Sequence, residues 1–529
     1  MGATIYQRRI VIGAVLCAAA FALVGVRLID VTLFKPLYSG FDRVDRPATA
    51  RADMVDRNGE LLARDLPVVD LYARPHTLDD KQGAAHALAR ATHANERRLL
   101  DGFNNAKHPY VLVARRLSPD VQDAVMHLGL PGLEFEPSAK RFYPDGRATA
   151  QLLGVTDPDG KGVSGLEQGL DGRLRDAEAA AVQLSIDMRV QYILAAEVEA
   201  ARQMFRAKNA GGIVMNVRTG EVLAMVSLPD FDPNFRRMGA EDSDHNIMAA
   251  DRYELGSVFK VLTFALAMED RTTNPDEVFA IGNGFRIGKY IIHEAEHMPA
   301  TLIARDVLAH SSNIGTAQIA MRSGPVRQAA FLTSLGLLSS LRSELPEFAR
   351  PLFPAHWGTI ETATIGFGHG ISVAPLCYVA AAASVVNGGR RIVPTFLKTD
   401  TDRRGAQVIK PETSAQMREL LRYVVTNGTG RKADIAGYDV GGKTGSAEKP
   451  GPHGYQSHVL VTSFFATFPI SEPRYVVFVL LDEPHGTKET GGLALAGMTA
   501  APLAGRVISR IAPLLGVPQK PVTVARENT

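Results

Sequence analysis

Three short clusters in the second half of the chain hold the residue types that acyl transfer needs: Ser257-Val-Phe-Lys260, Ser311-Ser312-Asn313 and Lys443-Thr444-Gly445-Ser446. A serine hydroxyl is a poor nucleophile until a neighbouring base takes its proton. Ser257 opens Val258 to Met268, an almost wholly apolar run that predicts a buried helix with the serine in its first turn. At that spacing Lys260 shares its face. A lysine serves as a base only where burial or nearby positive charge weakens its hold on a proton, and the apolar helix and Lys443 would supply both. In the second cluster the Ser311 hydroxyl could relay a proton, while the Asn313 amide holds Lys260 and a substrate carbonyl. The third follows Val440-Gly441-Gly442, where paired glycines permit close approach of another backbone. Its lysine and hydroxyls suit a substrate carboxylate, and the backbone N–H of Ser446 with that of Ser257 could form an oxyanion hole.

Each cluster alone has an ordinary explanation. Ser257 and Lys260 could be a helix-start serine and a lysine reaching out to solvent. Ser311-Ser312-Asn313 could simply cap the helix expected over Ile314 to Ala320, and Lys443 could be a loop lysine. A second S-x-x-K match, Ser446-Ala-Glu-Lys449, runs straight into Pro450-Gly451-Pro452, which cannot continue a helix and so cannot stack serine over lysine. It is the three clusters in this order that point to an acyl-transfer site. One competing motif, His293-Glu294-Ala295-Glu296-His297, fits the H-E-x-x-H zinc pattern, which works only on a helix with a third ligand elsewhere. Tyr290-Ile291-Ile292 precedes it like a strand and Pro299 follows at once, so a polar loop near the cleft entrance is expected instead.

The elements that must position these residues follow from the apolar pattern. A helix is expected over Met188 to Phe205. Gly212 to Val217 and Val222 to Ser227 then form a hairpin through Arg218-Thr219-Gly220-Glu221. Ser463 to Phe468 and Tyr475 to Leu481 read as further strands, followed by a helix around Leu503 to Ile511. Strands at both ends bracket a largely helical middle, which predicts an α+β domain with a mostly antiparallel sheet and one helical lobe. Before Asp187 the sequence mixes short strands such as Val111 to Ala114 with turns and one helical stretch, Gly83 to Arg98, and no catalytic set emerges there. The residues from about Gly516 are expected to fray.

At 529 residues the chain can bury more than one core. A net charge of +2 gives no support to a nucleic-acid partner. The two cysteines, Cys17 and Cys377, are placed too differently to pair, so the fold must hold by its cores. Ile10 to Val26, extended by Leu28 and Ile29, is close to bilayer-spanning length. Arg8 and Arg9 before it place the N-terminus in the cytoplasm and the rest outside. An uncleaved signal anchor is expected, with a cleaved signal peptide as the alternative.

With these residues in view the chain resembles the class B penicillin-binding proteins, the monofunctional peptidoglycan D,D-transpeptidases; the three clusters together are a signature shared by serine β-lactamases and penicillin-binding proteins. Arg51-Ala-Asp-Met-Val-Asp56-Arg57-Asn58-Gly59 is similar to the family's R-G-x-I-x-D-R-N-G element, with Ala52 where glycine is usual. Arg141-Phe-Tyr143-Pro144-Asp-Gly146 and Gly162-x-x-Gly165-x-Glu167 are similar to its other two pedestal motifs. Tyr253 to Lys260, His310 to Gly315 and Gly366-Phe-Gly-His-Gly370 look most like the cell-division member of alphaproteobacteria.

The resemblance implies a cytoplasmic tail over 1–9, a transmembrane signal anchor over 10–29, an elongated mixed α/β pedestal over 30–187, a transpeptidase domain over 188–515 and a tail over 516–529. It implies Ser257 as acylated nucleophile, Lys260 as its base, Ser311 and Asn313 as the second motif, and Lys443, Thr444 and Gly445 as the third, with Ser446 in place of the more usual threonine. The implied reaction is attack on a D-Ala-D-Ala stem peptide, release of the terminal D-Ala and transfer of the acyl group to an amine on a neighbouring stem. β-Lactams mimic that end and trap the acyl-enzyme. No cofactor or metal is implied. The inner membrane, a glycosyltransferase and other division proteins are the implied partners, with the catalytic part in the periplasm. An elongation enzyme, a β-lactamase or D,D-carboxypeptidase using water as acceptor, and an interaction protein whose catalytic site is secondary are the competing readings.

Overall fold

Tyr475 to Leu481 is apolar at every position, and the fold explains why: the strand is buried on both faces. It is central in a five-stranded sheet. We label the strands β1 (Asn209–Asn216), β2 (Val222–Leu228), β3 (Gly441–Gly451), β4 (Gly454–Phe468) and β5 (Tyr475–Asp482), which lie in the order β3-β4-β5-β1-β2 with every pairing antiparallel. Because side chains alternate across a sheet, Val476, Phe478 and Leu480 enter one core, and Val477, Val479 and Leu481 enter another. The second core is closed by helices α1 (Met188–Met204) and α6 (Ala500–Ile511) through Val190, Leu194, Val198, Leu503, Val507 and Ile508. The first is closed by α2 (Lys260–Glu269), α3 (Asn313–Ser334), α4 (Pro375–Val386) and α5 (Pro411–Asn427), with Phe259, Leu262, Phe331, Tyr378 and Leu421 buried in it. The α+β reading with a helical lobe between the strands therefore describes this architecture.

The computed structural model describes residues 51–520 apart from 106, 108, 177–179, 236–244, 283 and 452–453, together with Phe21 and Ala22. The expected anchor over 10–29 lies outside these but for Phe21 and Ala22, and no helix among the described residues is long and apolar enough to cross a membrane.

By compactness the chain forms two units, one of Val68–Ala139 and one of Arg51–Pro67 with Lys140 onward. This differs from a single boundary at 187/188, because residues 51–67 and 140–187 share the unit of the catalytic sheet. In the smaller unit Val69 to Ala73 pairs antiparallel with Val111 to Leu117, and Leu88, Leu99, Phe103 and Val125 pack against Leu71 and Val113. The stretch expected as one helix over Gly83 to Arg98 is two, Lys81–Thr92 and Glu96–Asn104. His93 turns left-handed at φ 57°, and Asn95 caps the second helix by accepting from the Arg98 N–H at 2.9 Å.

In the larger unit Met54–Val55 pairs antiparallel with Leu61 and Ala63, and parallel with Val182–Gln183. Beside it the resemblance motifs converge. Arg51 donates to Glu167 at 2.8 Å and to Asp171 at 2.5 Å, while Arg141 donates to Glu167 at 2.6 Å and to Asp65 at 3.2 Å. At the other end, the fraying expected from Gly516 does not hold for residues 516–520. Val517 is buried and Lys520 donates to Asp439 and Ser471, each at 3.0 Å.

Candidate active site

Ser257 sits in a 3-10 turn, Gly256–Phe259, that leads directly into α2. The expected helix therefore begins one tight turn later than the apolar run suggests. Gly256 takes φ 59°, a conformation that only glycine enters freely. It also packs against β3: a Cβ there would lie 2.8 Å from the Ser446 carbonyl oxygen. Gly445 has the matching constraint, since its Cβ would lie 2.5 Å from the carbonyl of Leu255. Paired small residues thus bring the serine turn onto the edge of the sheet, where β3 has no further strand among the described residues.

Lys260 is fully buried. Its Nζ donates to the Ser311 carbonyl at 2.5 Å, to Ser311 Oγ at 3.1 Å and to Asn313 Oδ1 at 2.9 Å. All three acceptors are neutral. Burial pushes the lysine well below its ordinary range, the like charge of Lys443 pushes it further, and Glu294 works in the opposite direction. The first and second clusters are therefore joined through the lysine amine. Ser311 holds its place with a left-handed backbone, φ 64°, an unusual state for a residue with a side chain.

Lys443 is also fully buried, and burial alone brings it down to about 7. Its Nζ donates to the Thr444 carbonyl at 3.1 Å and to Thr444 Oγ1 at 3.2 Å. Thr444 Oγ1 in turn lies 2.7 Å from Thr429 Oγ1. Ser446 Oγ accepts from the Ala496 N–H at 3.1 Å, which leaves the hydroxyl proton free to be donated. All eight expected residues thus lie on three elements that meet at the sheet edge: the 256–260 turn, the 311–313 turn before α3, and β3. Lys449, the lysine of the second S-x-x-K match, lies on the same strand but turns away to Asp482 and Glu483, at 2.8 and 2.7 Å.

Four residues at the site were not picked out as site residues by the sequence reasoning. Thr429 supports Thr444, and Gly428 beside it packs so tightly on Ala309 that a Cβ would lie 2.2 Å from the Ala309 carbonyl. Glu254 accepts from the Gly370 N–H at 3.2 Å and from Tyr455 Oη at 2.9 Å, and the His369 ring packs tilted against that of Tyr455, centroids 5.2 Å apart. Burial holds Glu254 above the usual carboxylate range against these two bonds. Burial and Lys260 together push His369 down. Glu254 and His369 stood inside motifs quoted for the resemblance. Tyr455 and Thr429 carried no local signal, because their partners are far away in sequence.

The H-E-x-x-H stretch is not helical, so His293 and His297 are not stacked one turn apart, and no group of three or more possible metal ligands occurs among the described residues. Its first glutamate has a definite role: Glu294 accepts from Ser312 Oγ at 2.5 Å, from the Asn313 N–H at 2.8 Å and from the Ile314 N–H at 3.1 Å.

Residues 210–505 match the penicillin binding protein transpeptidase domain, and residues 47–183 match the penicillin-binding protein dimerisation domain. The chain is 41% identical to the probable peptidoglycan D,D-transpeptidase FtsI of Caulobacter vibrioides, over 91% of this chain and 84% of that protein. It is 28% identical to the peptidoglycan D,D-transpeptidase FtsI of Escherichia coli K12, over 98% and 93%. Among solved structures, penicillin-binding protein 3 of Mycobacterium tuberculosis in complex with aztreonam superimposes with a TM-score of 0.70 at 25% identity, covering 89% of this chain and 98% of that one. A transpeptidase domain preceded by a dimerisation domain, on a fold and a sequence shared with these proteins, means that the chain belongs to the class B penicillin-binding proteins.

Proposed function

We propose that this chain is a serine peptidoglycan D,D-transpeptidase and a target of β-lactams, with Ser257 as nucleophile and Lys260 as its base. The observation that carries the reading is the bonding of Lys260: a buried amine held by three neutral acceptors, with no carboxylate among them. Such an amine gives up its proton far more readily than a surface lysine. Of its three acceptors only Ser311 Oγ can also donate, so in the neutral amine this hydroxyl can turn and point its proton at the lone pair. Lys260 and Ser311 then form a proton path in either direction.

The steps follow from these roles. Lys260 takes the proton of Ser257 as Oγ bonds to the carbonyl carbon of the penultimate D-Ala. The Ser446 carbonyl faces Gly256. The N–H and C=O of one residue in an antiparallel strand point to the same side, so the Ser446 N–H also faces the serine turn and with the Ser257 N–H can stabilise the oxyanion. The C–N bond then breaks, and the leaving amine takes a proton from Ser311 Oγ, which is resupplied by Lys260. An acceptor amine attacks the ester, gives its proton back along the same path and frees Ser257. Lys443, with the hydroxyls of Thr444 and Ser446, holds the terminal carboxylate, whose charge favours the protonated lysine.

The segment 10–29 is the proposed inner-membrane anchor, on the strength of its apolar run after Arg8 and Arg9, with the catalytic part in the periplasm and division proteins, a glycosyltransferase among them, as partners. Likeness to the two FtsI proteins supports a role in septal wall synthesis. Full-length protein incubated with a pentapeptide donor and an amine acceptor should yield cross-linked product and free D-Ala. Free D-Ala with only the hydrolysed tetrapeptide would make it a carboxypeptidase instead. A fluorescent fusion enriched at midcell is expected, and a purely lateral-wall pattern would contradict the septal role.

A further inference from the structure

We propose that Glu294 is a positioning residue for acyl transfer: its carboxylate caps α3 and fixes the Ser311–Asn313 turn that binds the Lys260 amine. The inference rests on the reading of Lys260 given above. A helix begins with backbone N–H groups that have no partner in the helix, and an ordinary cap side chain satisfies one of them. Here Ser312 Oγ accepts from the Gly315 N–H at 2.9 Å, and Glu294 accepts from the Asn313 and Ile314 N–H groups and from the Ser312 hydroxyl itself. The carboxylate therefore fixes the backbone of the first two helical residues directly, and the rotamer of the serine that caps the third. It also sits at the end of the helix where negative charge is favoured.

The turn needs such an anchor. Ser311 is left-handed, a strained state for a residue with a side chain that persists only where the surroundings enforce it. Both the carbonyl and hydroxyl of Ser311, and the amide oxygen of Asn313, bind Lys260. A shift of this turn moves all three acceptors of the base at once. In sequence, Glu294 lies inside a stretch that imitates a metal motif, and only the fold shows what it holds.

The same carboxylate has an electrostatic effect that separates positioning from mere folding. The charged and titratable groups acting on Lys260 or acted on by it are Lys443 from β3, which lowers its proton affinity, Glu294, which raises it, and His369 from the loop after the helix Thr359–Gly366, itself pushed down by the lysine. The neutral amine is the base. Removing the Glu294 charge lets Lys260 lose its proton at lower pH, so the acid limb of the acylation profile should move toward acid.

The test is the pH dependence of the second-order acylation rate constant of the full-length protein with a fluorescent penicillin, for wild type, Glu294→Gln and Glu294→Asp, with thermal unfolding measured alongside. Glu294→Gln should move the acid limb down by about half a pH unit or more and lower the plateau about tenfold. Glu294→Asp, which keeps the charge, should return the limb toward wild type. A limb that stays in place in Glu294→Gln while the plateau falls, or a wild-type profile in Glu294→Gln, would overturn the proposal. If Glu294→Gln does not fold, Glu294→Asp decides: a lowered plateau with the limb retained supports positioning, and an unaltered plateau counts against it. A wild type that is not acylated at any pH would instead remove the reading of Ser257 and Lys260 on which the inference rests.

Discussion

Two clusters of buried cations in the larger unit can be set side by side. Arg51 and Arg141 are nearly as buried as Lys260 and Lys443, yet both arginines are held by carboxylates, from Glu167, Asp65 and Asp171, whereas the lysines bond only to carbonyls, hydroxyls and an amide. The consequences for protonation are opposite. Burial pulls Arg141 down, but Glu167 and Asp65 more than offset it. Lys260 and Lys443 have no bonded carboxylate among the described residues and are pulled down. Residue choice fits the division, because a guanidinium stays charged and its fork suits two carboxylates, while an ammonium gives up its proton when desolvated. Equal burial therefore serves different ends: with pairing it fixes the architecture, and without pairing it prepares an acid–base group.

Breaking each cluster should give opposite outcomes. The largest effect expected is on Lys260→Met, where acylation by a penicillin should slow about 10³-fold or more, the worth of a general base. Its thermal unfolding should be unchanged or improved, because an apolar chain replaces a desolvated amine. A stopped-flow acylation rate and a melting curve on the same preparation would check both. Glu167→Ala should do the reverse. Leaving Arg51 and Arg141 buried without their shared partner should cost about 3–5 kcal/mol in chemical denaturation, with acylation per folded molecule retained. A Glu167→Ala protein of wild-type stability would break the comparison. The smallest effect sharpens it at Lys443. Free Lys443 loses its proton near pH 7, and a bound carboxylate favours the protonated form. The dissociation constant of the first, non-covalent complex with a carboxylate-bearing β-lactam should therefore rise by up to about tenfold per pH unit above roughly 7. This slope should vanish in Lys443→Gln, and a slope that survives would place the titrating group elsewhere.

The sequence exposed these groups unevenly, for physical reasons. The three clusters were readable because nucleophile and base lie one turn apart; close backbone approach was read from Gly441 and Gly442, and only the fold shows that the serine turn meets the strand at Gly256 and Gly445. The central strands were readable as strands, since β5 is apolar from Tyr475 to Leu481, but only the fold shows that its alternate residues feed two different cores. Glu294 was hidden in a spacing that means metal binding only on a helix, and its true partners lie about one strand and one helix further on. Thr429 and Tyr455 depend on contacts made across the domain, which no local pattern records. The break at His93 was legible in principle, because Asn95-Glu96 is an ordinary helix start, but a continuous helical composition concealed it.

The most direct test of the site is intact-mass spectrometry of the full-length protein in detergent after incubation with a penicillin, for wild type and Ser257→Ala, with the wild-type adduct mapped by peptide digestion. A persistent adduct equal to one drug molecule, located on Ser257 and absent from Ser257→Ala, is the expected result. An adduct that survives in Ser257→Ala, or a wild type that consumes the drug without retaining it, would contradict the acyl-enzyme account.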